Sequence, residues 1–193
     1  MSELAPIFLS AGIPDRDLDR YPADPIAIRE AILALVTQTV RDRELVFGGH
    51  PAISPLVDHA SRTLEAQHHV YIYQSRWFEN VIPDVAKAFP NLIWTQKKST
   101  LEESLTVMRR EIIGSRPFAA AVFIGGMGGL FEECTIFKEL HPNKPIFPIA
   151  STLGAAQILF EQDECSQNEE IRQALATNKR YRALFRKILP SSN

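Results

Sequence analysis

AAAVFIGGMGGLFEE, residues 119–133, runs six apolar residues into four glycines within five positions and then into two carboxylates. The apolar run has the length of a buried strand, and Leu130, Cys134 and Phe137 recur at the spacing of one helical face. Strand, glycine turn and helix in that order make the repeating unit of a parallel sheet.

The same unit recurs outward from this stretch. Short apolar runs at 6–11, 45–48, 69–73, 92–95, 119–124 and 145–149 read as six strands. Between and after them, amphipathic segments at 25–40, 55–66, 82–88, 100–113, 130–140, 151–160 and 169–189 read as helices. Asp24-Pro25 and Ser54-Pro55 each place an N-cap acceptor before a proline suited to the first helical position. Thr100 and Glu103 have capping-box spacing, which sets the start of the helix bearing Arg109 and Arg110. The polar stretch 161–170 reads as a surface connection, followed by a closing helix that packs Tyr181, Leu184, Phe185, Ile188 and Leu189 on the sheet. The expected architecture is α/β: a Rossmann-like, doubly wound parallel sheet of about six strands with helices on both faces.

With 193 residues, the chain suits one domain over 1–193 with a C-terminal helix at about 169–189. Its 45% hydrophobic and 23% charged content is that of an ordinary globular protein, and no run approaches the ~20 apolar residues of a membrane span. A cytoplasmic location is expected. The net charge of −2 argues against a protein whose main work is backbone attraction to nucleic acid. Cys134 and Cys165 lack metal-ligand spacing, and the adjacent His68 and His69 would face opposite sides of a strand. No metal and no cofactor are assigned.

In an open parallel sheet, ligands bind beyond the carboxyl ends of the strands. Four loops lie there: Ser10-Ala11-Gly12, Gly48-Gly49-His50, Gln74-Ser75-Arg76, and Gly125-Gly126-Met127-Gly128-Gly129. Glycines let a phosphate reach backbone amides without meeting a Cβ, and a helix N-terminus adds the positive end of its dipole. An anionic ligand, a nucleotide phosphate, is expected against the last loop, although glycines also end strands and make tight turns. The loop is neither the dinucleotide fingerprint, since Phe131 stands where glycine is required, nor a P-loop, since no Lys-Ser/Thr follows.

Glu132 projects from the side opposite the Leu130–Cys134–Phe137 seam, while Glu133 sits on the seam's flank. On the preceding helix, Leu101, Leu105, Met108 and Ile112 form the buried stripe, with Arg109 roughly 70° from its centre and Arg110 pointing to water. Glu132 is thus free to face a ligand at the glycine loop, and Arg109 can present its guanidinium to a phosphate or carboxylate. A solvated glutamate and a surface arginine would share these positions. His50 could donate to a phosphate or a leaving base, or hydrogen-bond locally.

GGMGGLFE, residues 125–132, resembles the P-G-G-x-G-T-x-x-E signature of the LOG proteins, the lysine-decarboxylase-like phosphoribohydrolases. Gly48-Gly49 before a proline-capped helix resembles the second glycine element of the wider SLOG superfamily, which includes the DNA-processing protein DprA. Arg109 stands 23 positions before Glu132, as in the LOG pattern. Ile124 replaces the signature proline and Gly129 its threonine. The resemblance implies a Rossmann-like domain, commonly a homodimer, that cleaves the N-glycosidic bond of a nucleoside 5′-monophosphate, with Arg109 orienting the nucleotide and Glu132 engaging the ribose or attacking water. FLSAGIPDRD and VFGGHPAISPLV look closest to bacterial SLOG clusters of conflict and phage-defence systems, some of which sense NAD-derived nucleotides. Hydrolase, sensor and single-strand DNA binder are thus three readings, the last weakened by the charge balance.

Overall fold

A computed structural model describes residues 4–15, 17–162 and 168–189. Arg16 and Cys165, with part of the polar connection, lie outside the described residues. The elements follow in order: β1 (Leu4–Gly12), α1 (Pro25–Thr39), β2 (Arg43–Gly48), α2 (Ser54–Thr63), β3 (Val70–Ser75), α3 (Asp84–Lys87), β4 (Asn91–Thr95), α4 (Leu101–Gly114), β5 (Ala120–Gly125), α5 (Gly129–Leu140), β6 (Ile146–Ile149), α6 (Gly154–Gln162), α7 (Glu169–Thr177) and α8 (Tyr181–Ile188).

The six strands form one parallel sheet in the order β4-β3-β2-β1-β5-β6, with helices on both faces, a Rossmann-like α/β fold. The chain steps outward from β1 to β4, and α4 then carries it back to lay β5 against the other side of β1. The order therefore reverses between β1 and β5, the place where such sheets leave a crevice.

Alternation along the strands feeds two cores. Ile7, Leu9, Leu45, Phe47, Val122 and Ile124 join the face covered by α1, α2 and α8. Phe8, Val46, Ala121 and Phe123 join the face covered by α4, α5 and α6, where Phe8 stacks on Phe137 at 5.9 Å between ring centroids. Strands with apolar residues on both faces are those of a sheet buried from both sides. By the same parity, Ser10 projects from β1 to the side of α4 and α5.

Asp24 caps α1 by accepting from the Ala27 amide at 2.9 Å, and Thr100 and Glu103 close the expected capping box on α4. Thr100→Ala is expected to lower stability by about 1 kcal/mol, read as a shifted urea midpoint, because the Glu103 amide in the first turn of α4 loses the hydroxyl that accepts from it.

Several local expectations are corrected. Ser54 is the first residue of α2 rather than its cap, and its hydroxyl accepts from the His50 amide at 3.3 Å. The closing helix is two helices, α7 and α8, parted at 178–180, where Asn178 turns the chain by accepting from the Arg180 amide. The residues expected to pack from it, Tyr181, Leu184, Phe185, Ile188 and Leu189, are buried. Leu101 is exposed at the start of α4, leaving Met108 and Ile112 as the centre of the buried stripe. His68 and His69 lie in a 3-10 turn, not a strand, with their rings 4.2 Å apart.

Candidate functional site

The glycine loop does two different jobs along its length. Gly125 and Gly126 have φ of +57° and +74°, a region open to glycine and costly for residues with a Cβ. The Gly126 amide donates to the Gly12 carbonyl at 2.7 Å, and the Gly125 amide donates to Thr152 Oγ1 at 2.9 Å. Gly154 packs against the same backbone, and a Cβ there would stand 2.9 Å from the Gly125 carbonyl carbon. Protein backbone thus closes the crevice between β1 and β5. At Gly12, Gly125 and Gly126 the missing side chains make room for neighbouring protein atoms, of Gly126, Ile28 and Leu130 in turn, and the amides of Gly125 and Gly126 are used internally.

Met127, Gly128 and Gly129 are different. Gly128 caps α5 without a side-chain hydrogen bond, and among the described residues no acceptor meets the amides of 127–129. Tyr21 brings its hydroxyl to 3.4 Å from where a Gly128 Cβ would stand, and Arg109 Nη2 comes to 2.8 Å from the equivalent point on Gly129. Glycine at 129 is what lets the guanidinium lie against the start of α5. Gly129→Ala is expected to keep stability within about 1 kcal/mol, since helix propensity improves while a flexible side chain gives way. The same change is expected to displace Arg109 and weaken binding of a phosphorylated ligand about tenfold; thermal melts and titration with a nucleoside monophosphate check the two halves.

Arg109 and Glu132 come together within one chain. Arg109 Nη1 donates to Glu132 Oε2, and Thr106 Oγ1 donates to Glu132 Oε1 at 3.1 Å. Arg109 Nε lies 3.6 Å from Glu133 Oε1, buried and without a hydrogen bond. The Arg109 side chain is 12% exposed, Glu132 42% and Glu133 18%, so the pair expected from spacing has a third, more deeply set member. Arg110, half exposed, pairs with Glu139 at 3.1 Å and takes no part.

Burial, reinforced by the neighbouring Glu132 charge, pushes the Glu133 carboxyl above its ordinary range against the opposing pull of Ser10 and Arg109. Ser10 Oγ faces that carboxyl without reaching hydrogen-bond geometry, and it is buried with no partner among the described residues. Ala11, its neighbour on β1, packs toward the opposite core.

A cavity of ≈ 320 Å³ opens beside this cluster, over the ends of β2 and β3 rather than in the closed crevice. Gly48, Gly49, His50, Gln74, Met127 and Glu133 contribute to its floor and rim, while Phe78, Val81, Ile82, Pro83, Leu105 and Met108 make apolar walls. Its size falls within the range of about 300–1,000 Å³ typical of small-molecule sites. Without a Cβ at Gly48, the side chains of Met108 and Ile112 pass under the cavity at 3.6 and 3.5 Å from the vacant position. At Gly49 a Cβ would collide with Gln74 Oε1.

His50 Nδ1 accepts from the Ala52 amide at 3.2 Å, which leaves the proton of the neutral ring on Nε2. Burial pushes the imidazole below its usual range, with Asp15 opposing. His50 is thus a neutral donor at neutral pH, its Nε2 close to Gly12. Arg76 turns away to Glu79 at 2.7 Å and lies over Trp94, and Trp77 carries Lys97 over its ring.

Glu133, Thr106, Tyr21 and the 78–86 wall were given no role by the sequence. A signal existed for Glu133, a carboxylate on the flank of a buried helical seam. None existed for the wall, whose 3-10 turn and four-residue helix are too short to carry a period.

A family model described as the SLOG cluster3 family matches residues 20–189. No curated protein and no solved structure matches the chain. Among the described residues no helix is long and apolar enough to cross a membrane.

Proposed function

From the premise that the chain belongs to the SLOG cluster3 family, a nucleotide-related and LOG-like group, we propose that it binds a nucleotide and hydrolyses its N-glycosidic bond. The ligand class is a nucleoside 5′-monophosphate or an NAD-derived nucleotide. One observation carries this reading: a guanidinium and two carboxylates, one more exposed and one set deeper, stand between open α5 amides and an apolar cavity. The phosphate would lie against the amides of Met127–Gly129 and Arg109, and the base would enter the cavity. Glu132, paired with Arg109, would take a proton from the attacking water as the sugar gains positive charge.

A second reading, a sensor that binds without turnover, draws support from Glu132 itself. Both its oxygens already accept, one from Thr106 and one from Arg109, so the carboxylate is tied to α4 before any ligand arrives. A single-strand DNA binder has less support, because the mouth carries two carboxylates to one guanidinium. Incubating the protein with a panel of nucleoside monophosphates and NAD-derived nucleotides, and following free base by chromatography, tests the proposal. Release of base is the expected result; tight binding without release would favour the sensor, and no binding would overturn both.

A further inference from the structure

We propose that Glu133 recognises the heterocycle of the bound nucleotide as a neutral carboxylic acid, donating its proton to a ring nitrogen or carbonyl in the apolar cavity. This rests on the nucleotide reading above and holds for hydrolase and sensor alike. Three observations converge on it. Among the described residues Glu133 is the carboxylate that lines the cavity, facing apolar side chains such as Phe78, Ile82, Leu105 and Met108, with His50, Ser54 and Gln74 the other polar side chains of the lining. The groups facing it are few: Arg109 from α4, Glu132 from α5, the hydroxyl of Ser10 from β1, and His50 across the cavity, itself beside Asp15.

Arg109 makes its close contact with Glu132, leaving only the 3.6 Å approach of Nε for Glu133. One guanidinium thus serves two carboxylates. Two carboxylates that share one cation separate in their proton affinity, and the more buried one keeps its proton. Burial raises Glu133 in that sense.

A neutral acid in an apolar wall is a donor, so it selects ligands with a lone pair at that point and rejects those without one. In the hydrolytic reading the same proton completes the chemistry. Water adds its hydroxyl to C1′ after losing a proton to Glu132, and the C1′–N electron pair leaves with the base. Glu133 then protonates that nitrogen, yielding ribose 5-phosphate and neutral base. A pyridinium base departs neutral and needs no such proton.

Two variants and one spectrum test the proposal. Infrared spectra of the full chain at neutral pH are expected to show the carbonyl stretch of a neutral carboxylic acid that Glu133→Gln removes. Titration with adenosine 5′-monophosphate is expected to give wild-type affinity that falls as pH rises through the raised Glu133 pKa, because only the neutral form donates. Glu133→Gln, a permanent donor, is expected to bind without that pH dependence, and Glu133→Leu to bind about tenfold more weakly. Ribose 5-phosphate, lacking the heterocycle, is expected to show the smaller loss in Glu133→Leu.

Absence of the infrared band, or equal pH profiles for wild type and Glu133→Gln, would overturn the proposal while leaving nucleotide binding intact. Equal losses for both ligands in Glu133→Leu would also overturn it, by assigning the residue to folding. A wild type that binds none of the nucleotides would overturn the functional reading and this inference together.

Discussion

Glu132→Gln is expected to slow release of free base by about 10³-fold, the scale of a lost general base that also faces developing positive charge. Glutamine keeps the shape and can still accept from Thr106, whose hydroxyl lies 3.1 Å from Glu132 Oε1. It cannot take a proton, and it frees Arg109 from its ion pair. Nucleotide affinity is therefore expected to hold or rise, since the guanidinium has lost its competitor for phosphate. Single-turnover chromatography separates the two effects: a slow step with unweakened binding supports the role, whereas unchanged release removes Glu132 from the reaction.

The second large effect is on folding. Gly125→Ala is expected to cost about 3 kcal/mol, combining a left-handed backbone with overpacking. An alanine Cβ would stand 2.7 Å from the Gly12 carbonyl oxygen and 2.5 Å from Ile28 Cδ1, at φ of +57°. The Gly12 oxygen is backbone in the central strand, already accepting from the Gly126 amide, so it has nowhere to move. For a chain of this length the melting temperature should fall by roughly 10 °C. Gly128→Ala is the control. Gly128 is exposed, its φ is −49°, and its nearest neighbour is the Tyr21 hydroxyl at 3.4 Å, so a change within about 0.5 kcal/mol is expected. If Gly125→Ala melts with the wild type, the crevice is not closed as described, and Gly125 returns to the ligand.

Both experiments bear on one feature of the glycine loop. Gly125 and Gly126 are buried and serve packing, whereas Met127 to Gly129 leave their amides open at the start of α5. A run of glycines in sequence does not distinguish the two uses, because each needs only the absence of a Cβ.

What the sequence determined by itself was whatever depends on near neighbours along the chain. Short apolar runs named the strands, Asp24 and Thr100 marked helix starts, and helix periodicity with the 23-position spacing singled out Arg109 and Glu132, which pair in the structure. Tertiary structure alone decided which glycines face protein, that Thr106 holds Glu132, and that the cavity lies over β2 and β3. It also set Glu133 apart from its neighbour. Sequence separates the two adjacent glutamates only by helix side, but desolvation and charge are sums over everything nearby in space, and here those sums gather Ser10, Arg109 and the cavity wall from β1, α4 and the 78–86 segment.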